Sequence, residues 1–476
     1  MSEWETVIGL EVHCELATAT KLFCGCPNRF GDEPNTNICP VCLGLPGSLP
    51  VLNRQSVEFA IRLGEALHCS VAPSVFARKN YFYPDMPKDY QISQYDLPIN
   101  REGWLELPSG QRIGIVRAHL EEDTGKSTHV GGGGRIHEAA YSLVDYNRSG
   151  VPLLEIVSEP DLRSPEGAAE YVTELRAILL VTGVSDARME EGSLRIDANV
   201  SVRPVGREEL GTRCEIKNLN SLRSMRKAIG YEARRQAGLI EAGDEIVQET
   251  RHWDDGEGRT QTLRTKEEAE DYRYFAEPDL VPLVPDAEWV ARVRAELPPL
   301  PADRRARLAR AAGVESSDRA VAITVTRDLD RVALAAVERG ADPGRVLTHI
   351  ANDLAVEGAE RLEPTALATL VRLETEGKLN PTQAKVVLAE LVANGGGGDP
   401  IAIAAEKGFE TMGASALEAV VDEAIAAEPD AWAKFVAGDG KAKGALVGYV
   451  MQKTDRKADG RVVNELLEGK RLATSL

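Results

Sequence analysis

The chain has 476 residues, of which 43% are hydrophobic and 28% charged, and its formal net charge is −19. That length is too great for one hydrophobic core and predicts two or three domains. The acidic balance excludes a surface coated for nucleic-acid binding while allowing a local basic patch, and the lack of an eighteen-residue apolar run argues against a membrane-spanning helix.

Met1 to Val7 carries Glu3 and Glu5 rather than a basic, apolar leader, so a cytoplasmic protein without a secretory signal is expected. Residues 1 to about 285 alternate β-branched runs with Gly, Pro and Asn breaks and read as mixed α and β. The first predicted strand, from Thr6 to Leu16, sets Glu11, His13 and Glu15 on one face and Leu10, Val12, Cys14 and Leu16 on the other. Four of the seven cysteines follow as Cys24-x-Cys26 and Cys39-Pro-Val-Cys42. Two tight thiolate pairs can close a tetrahedral Zn²⁺ shell with no open position, which would make the site structural; the alternative is four free thiols in a loop. Cys14, Cys69 and Cys214 each stand alone and read as core fillers.

Between Arg78 and Gln94 aromatics and prolines alternate with lysines, a pattern suited to base stacking and phosphate neutralisation, or to a loop packing its own rings. No GxxxxGK[ST] phosphate loop occurs, so a nucleotide site must be of another kind. Further strands repeat the charged face. Arg117, His119 and Glu121 share one side, as do Arg195, Asp197, Asn199, Ser201 and Arg203, and Arg213, Glu215 and Lys217. Glu155 stands alone among Leu153, Leu154, Ile156 and Val157. The four-glycine run Gly131 to Gly134 reads as a mobile loop. A helix is bounded by Ser164 as N-cap, Pro165 as first residue and Gly183 as stop.

From about 286 the chain is rich in Ala, Leu, Glu and Arg and reads as helical, set off by Pro298, Pro299 and Pro301. A second run, Gly395 to Gly398, predicts a flexible linker before a last helical domain. That tail divides its charge. Residues 401–440 hold two basic and eight acidic side chains, and residues 441–476 hold eight basic and four acidic ones.

A one-sided antiparallel sheet with a solvated outer face would also alternate in this way. Two features point further: His, Asp, Asn and Arg recur at strand centres, and Glu155 lies in a run too apolar for a surface strand. A buried carboxylate needs a partner. Carboxylates with one histidine suit a hard cation such as Mg²⁺, and neighbouring Arg and Lys suit phosphate. A noncatalytic zinc-stabilised RNA scaffold and a metal-dependent phosphoester hydrolase remain competing readings.

Several long stretches carry a family resemblance. They are Gly9 to His13; Phe82 to Lys88 with Tyr90 to Gln94; Glu121 to Lys126; Val144 to Ile156; Glu215 to Ser221; Asp271 to Leu280; Leu446 to Met451; and Val463 to Leu467. In this order they resemble the B subunit of tRNA-dependent amidotransferases across nearly the whole chain. The resemblance implies an α+β fold: a cradle-like mixed-sheet catalytic domain over 1–290 with a zinc element at about 24–42, a helical domain over 291–398, and a helical tRNA-binding tail over 399–476. It implies ATP and Mg²⁺ as cofactors, with metal ligands Glu11, His13, Glu121 and Glu155; in the aromatic loop between Arg78 and Gln94, Lys79, Tyr83 and Lys88 are candidates for ATP contacts. It implies partners as well: an amidase subunit freeing ammonia from glutamine, a small third subunit completing a heterotrimer, and misacylated Glu-tRNA(Gln) or Asp-tRNA(Asn). The cysteine pairs match a zinc element found in part of that family.

Overall fold

The computed structural model describes residues 4–131, 139–217, 219–265, 272–409, 414–454, 458 and 460–474. Of the expected glycine loop, residues 132–134 lie outside the described residues. The chain forms two units, Met1–Ala302 and Asp303–Leu476, the first α+β and the second helical, as the composition shift predicts.

In the first unit the strands are β1 (Trp4–Glu15), β2 (Ser70–Val71), β3 (Ala77–Asn80), β4 (Tyr90–Ser93), β5 (Asn100–Glu106), β6 (Arg112–Glu122), β7 (Lys126–Val130), β8 (Tyr141–Asp145), β9 (Pro152–Ser158), β10 (Leu194–Pro204), β11 (Cys214–Lys217), β12 (Glu249–Asp254), β13 (Arg259–Thr265) and β14 (Phe275–Ala276). Twelve of them make one mixed sheet in the order β13-β12-β11-β10-β1-β9-β6-β4-β3-β14, with β5 added at β6 and β2 at β5; β7 and β8 form a separate hairpin. β11 and β12 run parallel and the other pairs antiparallel.

Alternation decides which face is covered. Ile8, Leu10, Val12, Leu154, Ile156, Ala118, Leu120, Ile196 and Ala198 point to one side and are buried there. Three helices join that apolar core: α1 (Arg54–Ala66) through Phe59, Ile61 and Leu63, α2 (Pro165–Val181) through Tyr171, Leu175 and Leu179, and α3 (Leu222–Ala242) through Met225 and Ile229. α2 starts as expected: Ser164 Oγ accepts the Gly167 amide hydrogen at 3.0 Å and Pro165 opens the first turn. α4 (Ala287–Ala295) belongs to this unit too, with the Arg294 guanidinium donating to both Glu65 carboxylate oxygens. With the helices on the apolar side, the sheet's other face is left for charge.

The second unit has two apolar cores. The first gathers side chains from Leu308 to Ala404, among them those of α9 (Pro364–Thr375), α10 (Pro381–Ala393) and α11 (Pro400–Glu406), where these numbers continue the helix order through Pro301–Ala312, Arg319–Thr326, Asp330–Glu338 and Pro343–Asp353. The second runs from Leu417 to Leu467. The glycine run at 395–398 is not the flexible linker its composition suggests. The Gly396 amide closes the end of α10 on Leu391 O at 2.8 Å, and the Glu363 amide donates to Gly396 O at 2.8 Å. A Cβ at Gly396 would stand 2.1 Å from Arg361 O, and its φ is +92°, so glycine is required by a tight tertiary joint and not by slack. α11, beyond the joint, buries Ile403 and Ala404 in the same core as α10.

Candidate functional site

Two side-chain groups stand out in the first unit. The first is the cysteine group. Just after β1 the chain doubles back, with the Lys21 amide donating to Cys26 O at 3.0 Å, which brings Cys24 and Cys26 together. The Leu43 amide donates to Cys39 O at 3.1 Å and the Cys39 amide to Cys42 Sγ at 3.1 Å. All four sulfurs lie within 4.8 Å of one another. A hydrogen bond from the Cys24 thiol is the main cause holding Cys42 down to about 5; the Cys39 amide and the Lys21 charge add to it against burial. The same bond and burial push Cys24 up, and burial pushes Cys26 up to about 11. Four sulfurs converging with one already favoured as thiolate fit a tetrahedral thiolate-bound cation. Cys14, Cys69 and Cys214 are buried apart, as core fillers should be.

The second group lies on the charged face of the sheet. Register builds it. His13 faces Glu155 across β1 and β9, and Glu155 faces His119 across β9 and β6. Glu121, two residues on from His119, shares its face. His13 Nε2 lies 3.6 Å from Glu155 and 3.8 Å from Glu121; His119 Nε2 lies 3.6 Å from Glu155 and 4.0 Å from Glu121. Arg117 Nη2 reaches the other Glu155 oxygen at 3.5 Å.

Glu11 does not join this group. It belongs to a neighbouring one with Asp197 and Glu215. There Asn199 Nδ2 donates to Glu11 at 2.9 Å, and Lys217 Nζ sits 2.7 Å from Asp197 and 3.2 Å from Glu215. The two groups adjoin along β1, since Glu11 and His13 are successive residues of one face.

The electrostatics are those of crowded acids. Burial and then the Glu155 charge push Glu121 up to about 7; burial, Glu155 and Glu215 raise Glu11. Glu155 is held well below the usual carboxylate range despite burial, by His119, His13 and Arg117. Burial works against charge on His13, yet Glu155 and Glu121 carry it up to about 9, whereas burial takes His119 down to about 4. A bound dication would relieve the repulsion that raises Glu121 and Glu11, and oxygen donors with imidazole suit a hard or borderline ion.

The candidate ATP contacts separate. Lys79 on β3 is half-buried, lies 4.7 Å over the Tyr272 ring and lowers both Glu121 and His119 by its charge, so it belongs to the charged face. Tyr83 stacks on Tyr81 with ring centres 4.6 Å apart and stays exposed. Lys88 is buried in an ion pair with Glu122, in a cavity shared with Cys24 and Cys42, and so lies on the cysteine side.

Three further residues of the face, His119, Asp197 and Glu215, stand beside the four expected ligands. Their alternation was readable; their register with Glu155 and Glu11 was not. A stacked pair, Tyr95 and Tyr274 at 5.0 Å, also borders the face. Burial and the Glu121 charge raise the Tyr274 hydroxyl.

A large mixed sheet carries helices on its apolar side and, on the other, carboxylates and histidines gathered closely enough that they could hold a metal ion. Comparison with known proteins narrows the possibilities. Residues 6–291 match the family model described as the GatB/GatE catalytic domain, and residues 345–470 match that described as the GatB domain. The chain is 51% identical to the B subunit of the aspartyl/glutamyl-tRNA(Asn/Gln) amidotransferase of Moorella thermoacetica, covering 98% of this chain and 99% of that protein. It is 50% identical to the protein of the same name from Frankia casuarinae, covering 98% and 95%, and 48% identical to that of Nostoc punctiforme, covering 98% of both. The chain belongs to the GatB family of tRNA-dependent amidotransferase subunits.

Proposed function

We propose that the chain activates the side-chain carboxylate of Glu-tRNA(Gln), Asp-tRNA(Asn) or both with ATP, so that ammonia from a partner amidase converts it to the amide. The observation that carries this is the His13–Glu121–Glu155 group beside Glu11 on a sheet face that also presents Lys79, Arg117 and Arg195.

The chemistry explains why such a face is needed. A carboxylate does not accept ammonia because its leaving group would be oxide. If its oxygen attacks the γ-phosphorus of ATP, ADP departs and an acyl phosphate forms; ammonia then attacks the acyl carbon and phosphate leaves. Phosphoryl transfer asks for charge neutralisation and alignment rather than a protein nucleophile. Mg²⁺, when bound, supplies charge neutralisation across the phosphates. Glu121, Glu155, His13 and, in the adjoining group, Glu11 would hold it, with His119 a further candidate. Lys79 and Arg117 would orient phosphate oxygens, and Tyr83 could contact the nucleotide from its exposed loop. Lys88, committed to Glu122, would act on that site only indirectly.

Zn²⁺ would be held by Cys24, Cys26, Cys39 and Cys42 with a structural role. An amidase subunit and a small third subunit would complete a heterotrimer acting in the cytoplasm; among the described residues no helix is long and apolar enough to cross a membrane. The tail over 399–476 would grip the tRNA. Of its basic residues, Lys443 and Arg471 pair with Glu468, Lys453 with Glu423, and Lys470 with Glu418 and Asp422, all on the domain's own surface. Such exposed pairs are screened by water and salt and are readily exchanged for phosphate. Arg456 and Lys457 lie outside the described residues.

The test is Glu155→Gln in the reconstituted complex. Amidation of misacylated tRNA should fall at least ~100-fold, in line with loss of a charge-neutralising group, while basal glutamine hydrolysis by the partner persists. Amidation at near the normal rate would overturn the assignment.

A further inference from the structure

Lys21 is the anomaly of the first unit. It lies in the turn between β1 and the first cysteine pair, and its side chain is wholly buried. Its Nζ makes one hydrogen bond, to Tyr146 O at 3.2 Å. Among the described residues no carboxylate oxygen lies within 4.0 Å of it. Glu122 borders the same glycine as Lys21, Gly150, but Lys88 already pairs with it, and Glu122 Oε1 also accepts the Ile92 amide hydrogen. An ammonium withdrawn from water without a counter-charge costs several kcal/mol, so Lys21 needs an anion other than a carboxylate.

Geometry indicates where that anion is. A Cβ placed on Gly150 would stand 3.5 Å from Cys42 Cβ, 3.7 Å from the Lys21 side chain and 3.7 Å from Glu122 Oε2. Lys21 and Cys42 thus converge on the same glycine. A divalent zinc held by four thiolates has a net charge of −2, and the Lys88–Glu122 pair beside it is neutral, so the cysteine site brings the negative charge that Lys21 lacks.

We infer that Lys21 is the counter-ion of the tetracysteine site, a buried cation that favours the four-thiolate form and so strengthens zinc binding. This rests on the zinc reading of the cysteine cluster above. Lys21 acts through the thiolates and is a positioning residue, in the way that outer-shell partners of metal ligands tune affinity.

The test compares the full-length wild type with Lys21→Gln, which keeps a donor for Tyr146 O but no charge, and with Lys21→Arg, which keeps the charge. Zinc affinity is read by competition with a chromophoric chelator, and melting is recorded with and without zinc. Lys21→Gln should weaken zinc binding ~10- to 100-fold, with Lys21→Arg closer to the wild type, and should lower the melting temperature more with zinc than without it. Lys21→Met, neutral and of similar volume, carries the same expectation should Lys21→Gln not fold. Unchanged zinc affinity in the neutral variants, or equal loss of stability with and without zinc, overturns the inference, as does failure of both neutral variants to fold in excess zinc. A wild type that binds no zinc overturns the zinc reading itself, which is a distinct result.

Discussion

Arg78 and Glu277 tie the segment bearing Tyr272 and Tyr274 to β3, and Glu277→Gln cuts that tie. Arg78 Nε and Nη2 donate to the two Glu277 oxygens at 2.6 and 2.8 Å, and the Glu277 side chain is 1% exposed against 21% for Arg78. The Glu277 amide also donates to Phe76 O at 2.8 Å, which completes the join. Removing one partner of a fully buried pair costs ~3–5 kcal/mol. Arg78 keeps some water, Asp279 at 3.6 Å and the Tyr90 ring at 4.2 Å. The expected loss is therefore ~2–3 kcal/mol, or ~3–5 °C in melting temperature for a unit of this size. A double-mutant cycle with Arg78→Met reads the coupling: the double variant should be more stable than the sum of the single losses allows. Calorimetric melting with a loss below ~0.5 kcal/mol for Glu277→Gln, within the range of an ordinary surface change, or a coupling energy near zero, would refute the reasoning.

Elemental analysis of protein purified without added metal should find one zinc per chain, and Cys39→Ser should lose it and loosen residues 20–50 to proteolysis without selectively abolishing chemistry. Acid stability should depend on Glu232, which is wholly buried. Burial opposes its charge, but the Arg235 pair and donors from Gln236 and Thr260 hold its carboxyl below the usual value. A depressed folded pKa means that its contribution is present above the ordinary carboxylate pKa and is lost as pH falls through the folded value. Glu232→Gln should therefore melt earlier at neutral pH and show a flatter acid limb below about pH 4.3, and a limb of unchanged slope would count against this. A chain ending at Phe409 should keep the first helical core and bind ATP, but hold misacylated tRNA more weakly and with a shallower salt dependence. One ending at Gly398 should melt earlier as well, because it loses Ile403 and Ala404 from that core; tRNA affinity unchanged across a salt series would refute the role of the tail.

The face of the sheet was legible because strand alternation is local: Glu11, His13, Glu121 and Glu155 could be assigned a side from their own neighbours. Grouping them was not legible, since it depends on register between strands distant in the sequence. That register puts Glu155 between His13 and His119 and sends Glu11 to Asp197. The cysteine cluster was visible in spacing alone, whereas its lysine neighbour was not, because Lys21 acquires its surroundings from Tyr146 and Gly150. Lys88 read as a candidate phosphate contact in an aromatic loop; its partner, Glu122, comes from β6. The 395–398 glycines misled for a related reason. Composition reports conformational freedom, and only the bond from Glu363 and the closeness of Arg361 turn that freedom into a fixed joint.

The central claim is that this chain makes an acyl phosphate on its carboxylate–histidine face. The most direct test labels the side-chain carboxylate of misacylated tRNA with ¹⁸O and follows the label during amidation by the reconstituted complex. Oxygen from the carboxylate should appear in inorganic phosphate with the wild type, and Glu155→Gln should abolish that transfer while glutamine hydrolysis continues. Amide formed with unlabelled phosphate, or label transfer undiminished in Glu155→Gln, would contradict the account.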